Sequence, residues 1–274
     1  MRKQRITEDN TTKVAALQFQ PEFLNVDKNI ARVEEYLRNC DADLLIVPEL
    51  CTTGYFFHDT EQAASVAETE DGPFCTLIRS LSKELDAAIV AGFVERDGDR
   101  LFNSCITVLP DGMWDIYRKI HLFAEEKIHF SEGDRPFPVY CYNGVCFGVM
   151  ICYDWRFPES VRTLALKGAQ IVAHPSNLVA PPSMWGPVMQ TRSVENKIFT
   201  ITANRTGTET RGEESLTFHG KSQITAPNGS ILASTDETTE GRIIAEIDPE
   251  KSLKKSFSKW NDIFSDRRPD MYEL

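Results

Sequence analysis

The sequence predicts a single α/β domain in which sheets are covered by layers of helices. Short apolar runs alternate with amphipathic segments along the whole chain, the pattern of strands separated by helices. The length of 274 residues suits a large one-domain fold, and no linker, low-complexity tract or composition break divides it. A hydrophobic fraction of 41% with 26% charged residues describes a globular chain rather than a disordered one. A chain of this size buries roughly three quarters of its surface, so neither disulfides nor metals are needed to hold its core.

The elements follow in order. Residues 14–19 (VAALQF) read as a strand, and 26–39 place Ile30, Val33 and Leu37 at helical spacing. After a strand at 44–47 (LLIV), residues 73–85 form a helix through Leu77, Ile78, Leu81 and Leu85, with Pro73 suited to its first turn. Strands are expected at 87–94, 104–109 and 145–151, then a helix at 158–167 and a strand at 171–173. A helix at 184–197 precedes strands at 198–203, 221–226 and 242–247, and Pro227-Asn228-Gly229 supplies a turn. Residues 43–50 (DLLIVPEL, after Ala42) echo residues 170–178 (QIVAHPSNL): each is an apolar strand ending in proline and then a polar residue. Two ordinary strand ends would produce this echo, and so would a pseudo-symmetric fold whose halves each send a strand end toward one site.

Charge and cysteine usage bound the partners and the compartment. Lys and Arg total 30 against 41 Asp and Glu, a net charge of −11 that opposes nucleic acid and anionic membranes, and no local basic stripe offsets it. Residues 1–12 are expected to be a flexible N-terminus rather than a signal peptide, because no apolar stretch follows the basic start. The longest apolar runs are far too short to cross a bilayer. Seven scattered cysteines favour free thiols in a reducing compartment, so the expected location is the cytoplasm. The N-x-[ST] triplets at Asn10, Asn204 and Asn228 then read as chance matches.

Three reactive side chains sit where apolar strands end, the place where open α/β sheets gather ligands. Glu49 follows LLIVP, Cys152 follows VCFGVMI, and Lys119 ends an apparent strand in YRKIHLF. Singly each is ordinary: a solvated strand-end carboxylate, a surface lysine, a small core hydrophobe. Together a base, a cation and a thiol make a covalent acyl-transfer site, in which the carboxylate deprotonates the thiol and the ammonium stabilises an oxyanion. Tyr55, Trp155, Arg156 and Asn177 fall beside these strand ends and are expected to contact substrate; for Trp155 and Arg156 an interface or a helix cap is the competing role. His121 and His129 are seven residues apart with no CxxC, so structural roles are expected rather than metal binding. Cys146 is expected to pack in its strand, and Cys51 to fill core. A phosphate-binding loop, GxGxxG and the GxSxG elbow are absent.

Val47-Pro48-Glu49-Leu50 with Thr53-Gly54-Tyr55, residues 117–123 (YRKIHLF) and residues 151–159 (ICYDWRFPE) closely resemble the nitrilase superfamily of carbon–nitrogen hydrolases, in family order and spacing. The resemblance runs from about Lys13 through Asp270 and implies an α-β-β-α four-layer sandwich with pseudo-symmetric halves, usually paired into a dimer. It implies Glu49 as general base, Lys119 as cationic stabiliser and Cys152 as nucleophile, with the Tyr153 N–H completing an oxyanion hole with Lys119. Glu126, seven positions before Gly133-Asp134, matches the family's second glutamate, although Glu132 stands where proline is more usual and Glu125 competes for the register. The expected domain is 13–260, with a tail at 261–274 that either frays or, because Ile263, Phe264 and Tyr272 are costly to expose, packs across a homodimer or higher homo-oligomer. The implied reaction converts a small amide to acid and ammonia through a cysteine thioester, with no metal or organic cofactor. Tyr153-Asp154 after the nucleophile is similar to the amidase-like branch; members acting mainly on nitriles commonly have Trp-Glu there. Hydrolysis of a small aliphatic nitrile or an N-carbamoyl group, redox sensing by Cys152, and a non-enzymatic interaction module that keeps the fold are the alternatives.

Overall fold

Apolar runs with no polar face fold as strands buried on both sides, and β1 (Thr12–Gln18) shows how. In this computed structural model, which describes residues 11–272, Val14 and Ala16 face one core while Ala15 and Leu17 face another. The same alternation sends Leu44 and Ile46 of β2 (Leu44–Ile46) one way and Leu45 the other. Each fully buried Val, Leu or Ile contributes about 1.5–3 kcal/mol, so both faces of these strands hold the fold. The expected flexible segment falls largely on residues outside those described, as does Asn10.

The remaining elements of the first half are α1 (Val26–Arg38), α2 (Thr60–Ser65), α3 (Pro73–Leu85), β3 (Ala88–Asp97), β4 (Arg100–Val108), β5 (Trp114–Arg118) and α4 (Glu126–His129). The second half holds β6 (Val139–Tyr142), β7 (Val145–Val149), α5 (Pro158–Leu166), β8 (Ile171–Ser176), α6 (Pro182–Asn196) and β9 (Phe199–Asn204). It ends with β10 (Thr206–Arg211), β11 (Glu214–His219), β12 (Gln223–Thr225), β13 (Ile231–Ser234) and β14 (Gly241–Ile247). Two six-stranded sheets form, in the orders β14-β1-β2-β3-β4-β5 and β13-β12-β9-β8-β7-β6. Each has a parallel centre, β1-β2-β3 or β7-β8-β9, and antiparallel flanks.

The inner faces of the two sheets meet in one core, and α1 and α3 cover the outside of the first sheet through Val33, Leu37, Phe74, Ile78 and Leu81. Val161 and Leu164 of α5 with Trp185 and Met189 of α6 cover the second. This is the expected four-layer α-β-β-α sandwich. The echo between 43–50 and 170–178 is structural, since β2 and β8 are the middle strands of the two parallel triplets. Each helix start is built locally: Asn25 and Asp59 accept the N–H groups of Lys28 and Gln62 to cap α1 and α2, and Pro73 opens α3.

The structure corrects the expectation that all the cysteines are free thiols. Cys141 and Cys146 form a disulfide, while Cys40, Cys51, Cys75, Cys105 and Cys152 are free and buried. The reason is the β6–β7 hairpin, whose turn Asn143-Gly144 has the two positive φ values, 49° and 79°, that a type I′ turn needs. That turn sets the exposed Cys141, on the edge strand β6, directly opposite the half-buried Cys146 of β7, so neither is packed in the core. In the tail, Ile263 and Phe264 are half-buried against their own chain, with Arg162 and Lys255 over the Phe264 ring. Phe257, Trp260, Met271 and Tyr272 are the exposed apolar groups there. Among the described residues no helix is long and apolar enough to cross a membrane.

Gly92 of β3 shows how tightly the site is seated on the fold. A Cβ there would lie 2.6 Å from Glu49 Cα, 2.7 Å from Leu50 N and 2.8 Å from Pro48 O, all backbone atoms that have little room to yield. Gly92→Ala is therefore expected to lose about 1–3 kcal/mol in urea unfolding; an unchanged midpoint would show that the Glu49 segment can move aside.

Candidate active site

Glu49 lies just beyond β2, where the chain leaves the sheet. Val47 still pairs with Val90 O at 2.8 Å; Leu50 then takes a positive φ of 45°, and Cys51 N–H returns to Gly92 O at 3.1 Å. This reversal leaves the Glu49 side chain fully buried inside the sandwich. Lys119 follows β5, with its N–H on Asn103 O at 2.9 Å and its carbonyl accepting from Gly133 N at 3.0 Å. Gly133 is required there, since a Cβ would stand 2.2 Å from Arg118 O. Arg118 anchors the same strand end by pairing with Glu95 at 2.6 Å, Asp97 at 2.8 Å and Asp134 at 3.0 Å. The Gly133-Asp134 turn is thus a support for Lys119.

These supports bring one ammonium between two carboxylates. Lys119 Nζ donates to Glu49 Oε1 and to Glu126 Oε1, each at 2.7 Å, and all three side chains are within 2% of full burial. Asn103 Nδ2 donates to Glu49 Oε1 at 2.7 Å; Tyr55 OH donates to Glu126 Oε1 at 2.6 Å, and Phe123 N–H to Oε2 at 3.3 Å. Glu49 Oε2 is buried and has no hydrogen-bond partner among the described residues, so one oxygen stands ready to take a proton. Burial opposes the Lys119 charge, but Glu126 and Glu49 outweigh it and hold the ammonium above its ordinary pKa. Burial pushes the Glu126 carboxyl up, Lys119 pulls it down and Glu49 pushes it up again. The Tyr55 hydroxyl, raised by burial and then by Glu126, stays a donor.

Cys152 lies past β7 at the start of a short 3₁₀ turn (Cys152–Arg156), with φ at 39°. A non-glycine residue held there costs on the order of 1–3 kcal/mol and needs support. His174 of β8 supplies part of it. Burial lowers its pKa to about 4, so the ring is neutral; Nε2–H donates to Cys152 O at 2.9 Å while Nδ1 accepts from Thr202 Oγ1 at 3.0 Å. Asp154 supplies the rest: its buried carboxylate accepts Ile151 N–H at 2.9 Å, Tyr117 OH at 2.8 Å, and His121 through N–H at 3.2 Å and Nδ1–H at 2.7 Å. One side chain thus ties the cysteine turn to the strand and loop that flank Lys119. Burial and Glu49 push the Cys152 thiol well above its ordinary range, Lys119 opposes them, and Glu126 and the Asn177 N–H act more weakly in opposite senses.

The structure therefore brings Glu49, Lys119, Glu126 and Cys152 together. Glu125 points away, half-exposed and paired with Arg211 at 2.7 Å. The Tyr55 hydroxyl touches the cluster, and Asn177 beside Cys152 buries an amide whose oxygen and nitrogen both lack partners among the described residues. The Tyr153 N–H lies in the first turn of the 3₁₀ segment, where helical N–H groups lack intrahelical partners; its ring packs against Phe123 and Phe157. Trp155 is buried, and Arg156, exposed, lies over its ring at 5.4 Å. His121 stacks on Phe157 at 3.8 Å, and His129 is buried against Phe57 and Phe130. Among the described residues no three His, Cys, Asp or Glu side chains are placed to hold a metal ion. The supporting roles of Asn103, Asp154 and His174 escaped sequence reasoning, although each is a polar residue inside or next to an apolar run and each is buried.

A dry lysine between two glutamates thus lies near a buried cysteine on a strand-to-helix turn of a four-layer sandwich. The chain matches the carbon–nitrogen hydrolase family over residues 13–252, and it belongs to that family. It is 43% identical over 265 residues to a nitrilase of Pyrococcus abyssi, covering 95% of this chain and 98% of that protein. It is 35% identical over 250 residues to an (R)-stereoselective amidase of a Pseudomonas species, covering 88% of this chain and 85% of the other. The crystal structure of an amidase from a Nesterenkonia species superposes with a TM-score of 0.77 at 26% identity, covering 94% of each chain.

Asp154→Asn replaces one carboxylate oxygen by an NH₂ group that cannot accept, so at least two of its four donors lose their partner. The expected cost is about 3 kcal/mol in thermal or urea unfolding, with slower alkylation of Cys152 by iodoacetamide. A variant matching wild type in both would show that Asp154 does not hold the cysteine turn.

Proposed function

We propose that this carbon–nitrogen hydrolase converts a small amide to a carboxylic acid and ammonia through a Cys152 thioester. The observation that carries the reading is the Lys119 ammonium held 2.7 Å from both Glu49 and Glu126 in the buried cluster that contains Cys152. Glu49 takes the thiol proton through its unpartnered oxygen, and the sulfur attacks the amide carbon. Negative charge gathers on the carbonyl oxygen, where Lys119 and the Tyr153 N–H stabilise it. Glu49 returns the proton to nitrogen, the C–N bond breaks and ammonia leaves, giving the thioester. A water deprotonated by Glu49 then attacks the thioester carbon, the C–S bond breaks, and the acid leaves as the thiol regains its proton. Glu126 holds Lys119 and the substrate nitrogen in place, and Tyr55 and Asn177 contact the substrate.

Nitrile hydrolysis is the second reading, favoured by the similarity to the nitrilase of Pyrococcus abyssi. A nitrile must first form a thioimidate whose nitrogen needs protonation and hydration before ammonia departs, a longer route that asks more of Glu49 and Glu126. The amide reading is supported by the amidase relatives and by Tyr153-Asp154 after the nucleophile. A cytoplasmic location suits the five free thiols. Homodimerisation is supported by the exposed Phe257, Trp260 and Tyr272, set among Lys251, Lys254 and Lys259 on a chain of net charge −11.

Cys152→Ala is expected to abolish ammonia release with the fold intact, and wild type quenched during turnover should carry an acyl mass on Cys152. More than a few per cent residual activity would end the covalent mechanism. Lys119→Ala should lose about 10²–10³-fold in kcat; an effect confined to KM would make it a binding residue. In amide and nitrile pairs of equal chain length, the amides should show the higher kcat/KM, and consistently faster nitriles would transfer the assignment to the second reading. For the dimer, Trp260→Ser with Tyr272→Ser should shift sedimentation toward monomer without touching Phe264; an unchanged dimer would remove the tail from the interface.

A further inference from the structure

The β10–β11 hairpin belongs to neither six-stranded sheet, yet it is attached through buried charge. Arg205, just before β10, is fully buried and pairs with Glu209, which is also buried. Such a pair returns its desolvation cost only when further hydrogen bonds satisfy both partners. For Glu209 the further bonds come from the loop carrying Tyr55, with the N–H of Tyr55 at 3.0 Å and of Phe56 at 2.7 Å, whereas Arg205 adds Nε on Thr206 O at 3.4 Å and its Nη2 has no partner among the described residues. Gly54 permits the approach, since it has φ +81° and a Cβ there would stand 2.6 Å from Glu209 Oε1. Arg205 also lies over Phe218 at 4.0 Å, and Phe218 meets the Tyr55 ring edge-on at 5.7 Å.

The same hairpin grips the other side of the site. Arg211 forms a two-pronged pair with Glu125 at 2.7 and 3.1 Å and donates to Phe57 O at 2.8 Å. Its hold therefore falls on residues 55–57 and on the neighbour of Glu126 at once. Between those two grips runs the 2.6 Å hydrogen bond from Tyr55 OH to Glu126 Oε1. We propose that the β10–β11 hairpin is a clamp that sets this hydrogen bond, with Arg205 and Glu209 as a positioning pair for the reaction. The proposal rests on the role given above to Glu126, and neither residue of the pair touches the reacting atoms.

The effect has a sign. Glu126 is faced by Lys119 beyond β5, Glu49 beyond β2, Cys152 beyond β7 and the Tyr55 hydroxyl, while Glu125 beside it is occupied by Arg211. Burial raises the Glu126 carboxyl, Lys119 pulls it down, and the Tyr55 hydrogen bond adds a smaller pull in the same direction. Loosening the clamp lets that carboxyl rise, so the acid limb of the kcat profile moves to higher pH.

The test is a cycle built on Tyr55→Phe and the double variant Arg205→Met/Glu209→Gln, which removes both buried charges so that neither is stranded. Ammonia release from propionamide and butyramide is measured against pH, and the rate of Cys152 alkylation by iodoacetamide is measured alongside, which needs no substrate. Each variant should lower kcat by about tenfold to a hundredfold, the range for one charge-assisted hydrogen bond, and move the acid limb upward. Tyr55→Phe also alters a substrate contact and so changes KM, whereas the Arg205/Glu209 double variant should leave KM little changed. Combined, they should cost no more than Tyr55→Phe alone, because both act through one hydrogen bond. Losses that multiply, or a folded double variant with wild-type kcat and pH profile, would overturn the clamp. If the double variant does not fold, Arg211→Gln takes its place in the cycle under the same criteria. Failure of the parent reading has a different signature, an active Cys152→Ala enzyme or a wild type inert on every amide; in the second case the alkylation cycle alone decides the clamp.

Discussion

One ammonium shared by two carboxylates in a dry interior constrains everything around it. Lys119 sits 2.7 Å from Glu49 and from Glu126, and none of the three reaches water to any useful extent. At an effective dielectric of about 20, unit charges about 4 Å apart interact by about 4 kcal/mol, so each contact is large and so is the repulsion between the glutamates. Removing the lysine would strand two buried carboxylates, a change that costs about 3–5 kcal/mol. The neighbouring groups share the burden: Asn103 on Glu49, Tyr55 and the Phe123 N–H on Glu126, and the Arg118 network on the strand that delivers Lys119.

The two-sheet architecture is what lets these groups meet. β2 and β5 of one sheet and β7 of the other all end near the same place, and the cluster takes one side chain from just beyond each. Close backbone approach makes the meeting possible, with Gly92 against the Glu49 turn and Gly133 against the Lys119 strand end. Asp154 then binds the two sheets together at the site, because it accepts from the cysteine turn and from Tyr117 and His121 at the same time. Cys152 can hold its positive φ because both of its flanks are tied.

Much of this was legible in the sequence. The double-sided strands announced themselves as unbroken apolar runs, and the echo between 43–50 and 170–178 marked the two halves. Glu49, Lys119 and Cys152 are each ordinary alone and stood out only as a set, a base, a cation and a thiol at strand ends within motifs that resemble the nitrilase superfamily. What stayed hidden depends on tertiary contact. The β10–β11 hairpin (TGTETR and ESLTFH) looks polar because it packs on the site rather than in a sheet core, so no alternating apolar pattern marks it. Asn103 and His174 lie within apolar runs, and only the fold reveals that one carries Glu49 and the other Cys152. The Asn143-Gly144 turn was a readable hairpin signal, and with it the Cys141–Cys146 pairing could have been anticipated.

Two carboxylates and one ammonium leave the cluster with a net negative charge, which has a consequence for the nucleophile. Burial and Glu49 raise the Cys152 thiol, and Lys119 only partly offsets them. On the proposed mechanism the resting enzyme keeps a thiol rather than a thiolate, and the proton moves to Glu49 only as sulfur attacks carbon. The direct measurement is the ultraviolet thiolate absorbance of the free enzyme minus that of Cys152→Ala, followed from about pH 6 to about pH 9 across the ordinary thiol value of about 8.5. The difference should stay flat over that range. A Cys152-dependent thiolate signal with a midpoint below about pH 7 would show a preformed ion pair with Lys119 and contradict this account.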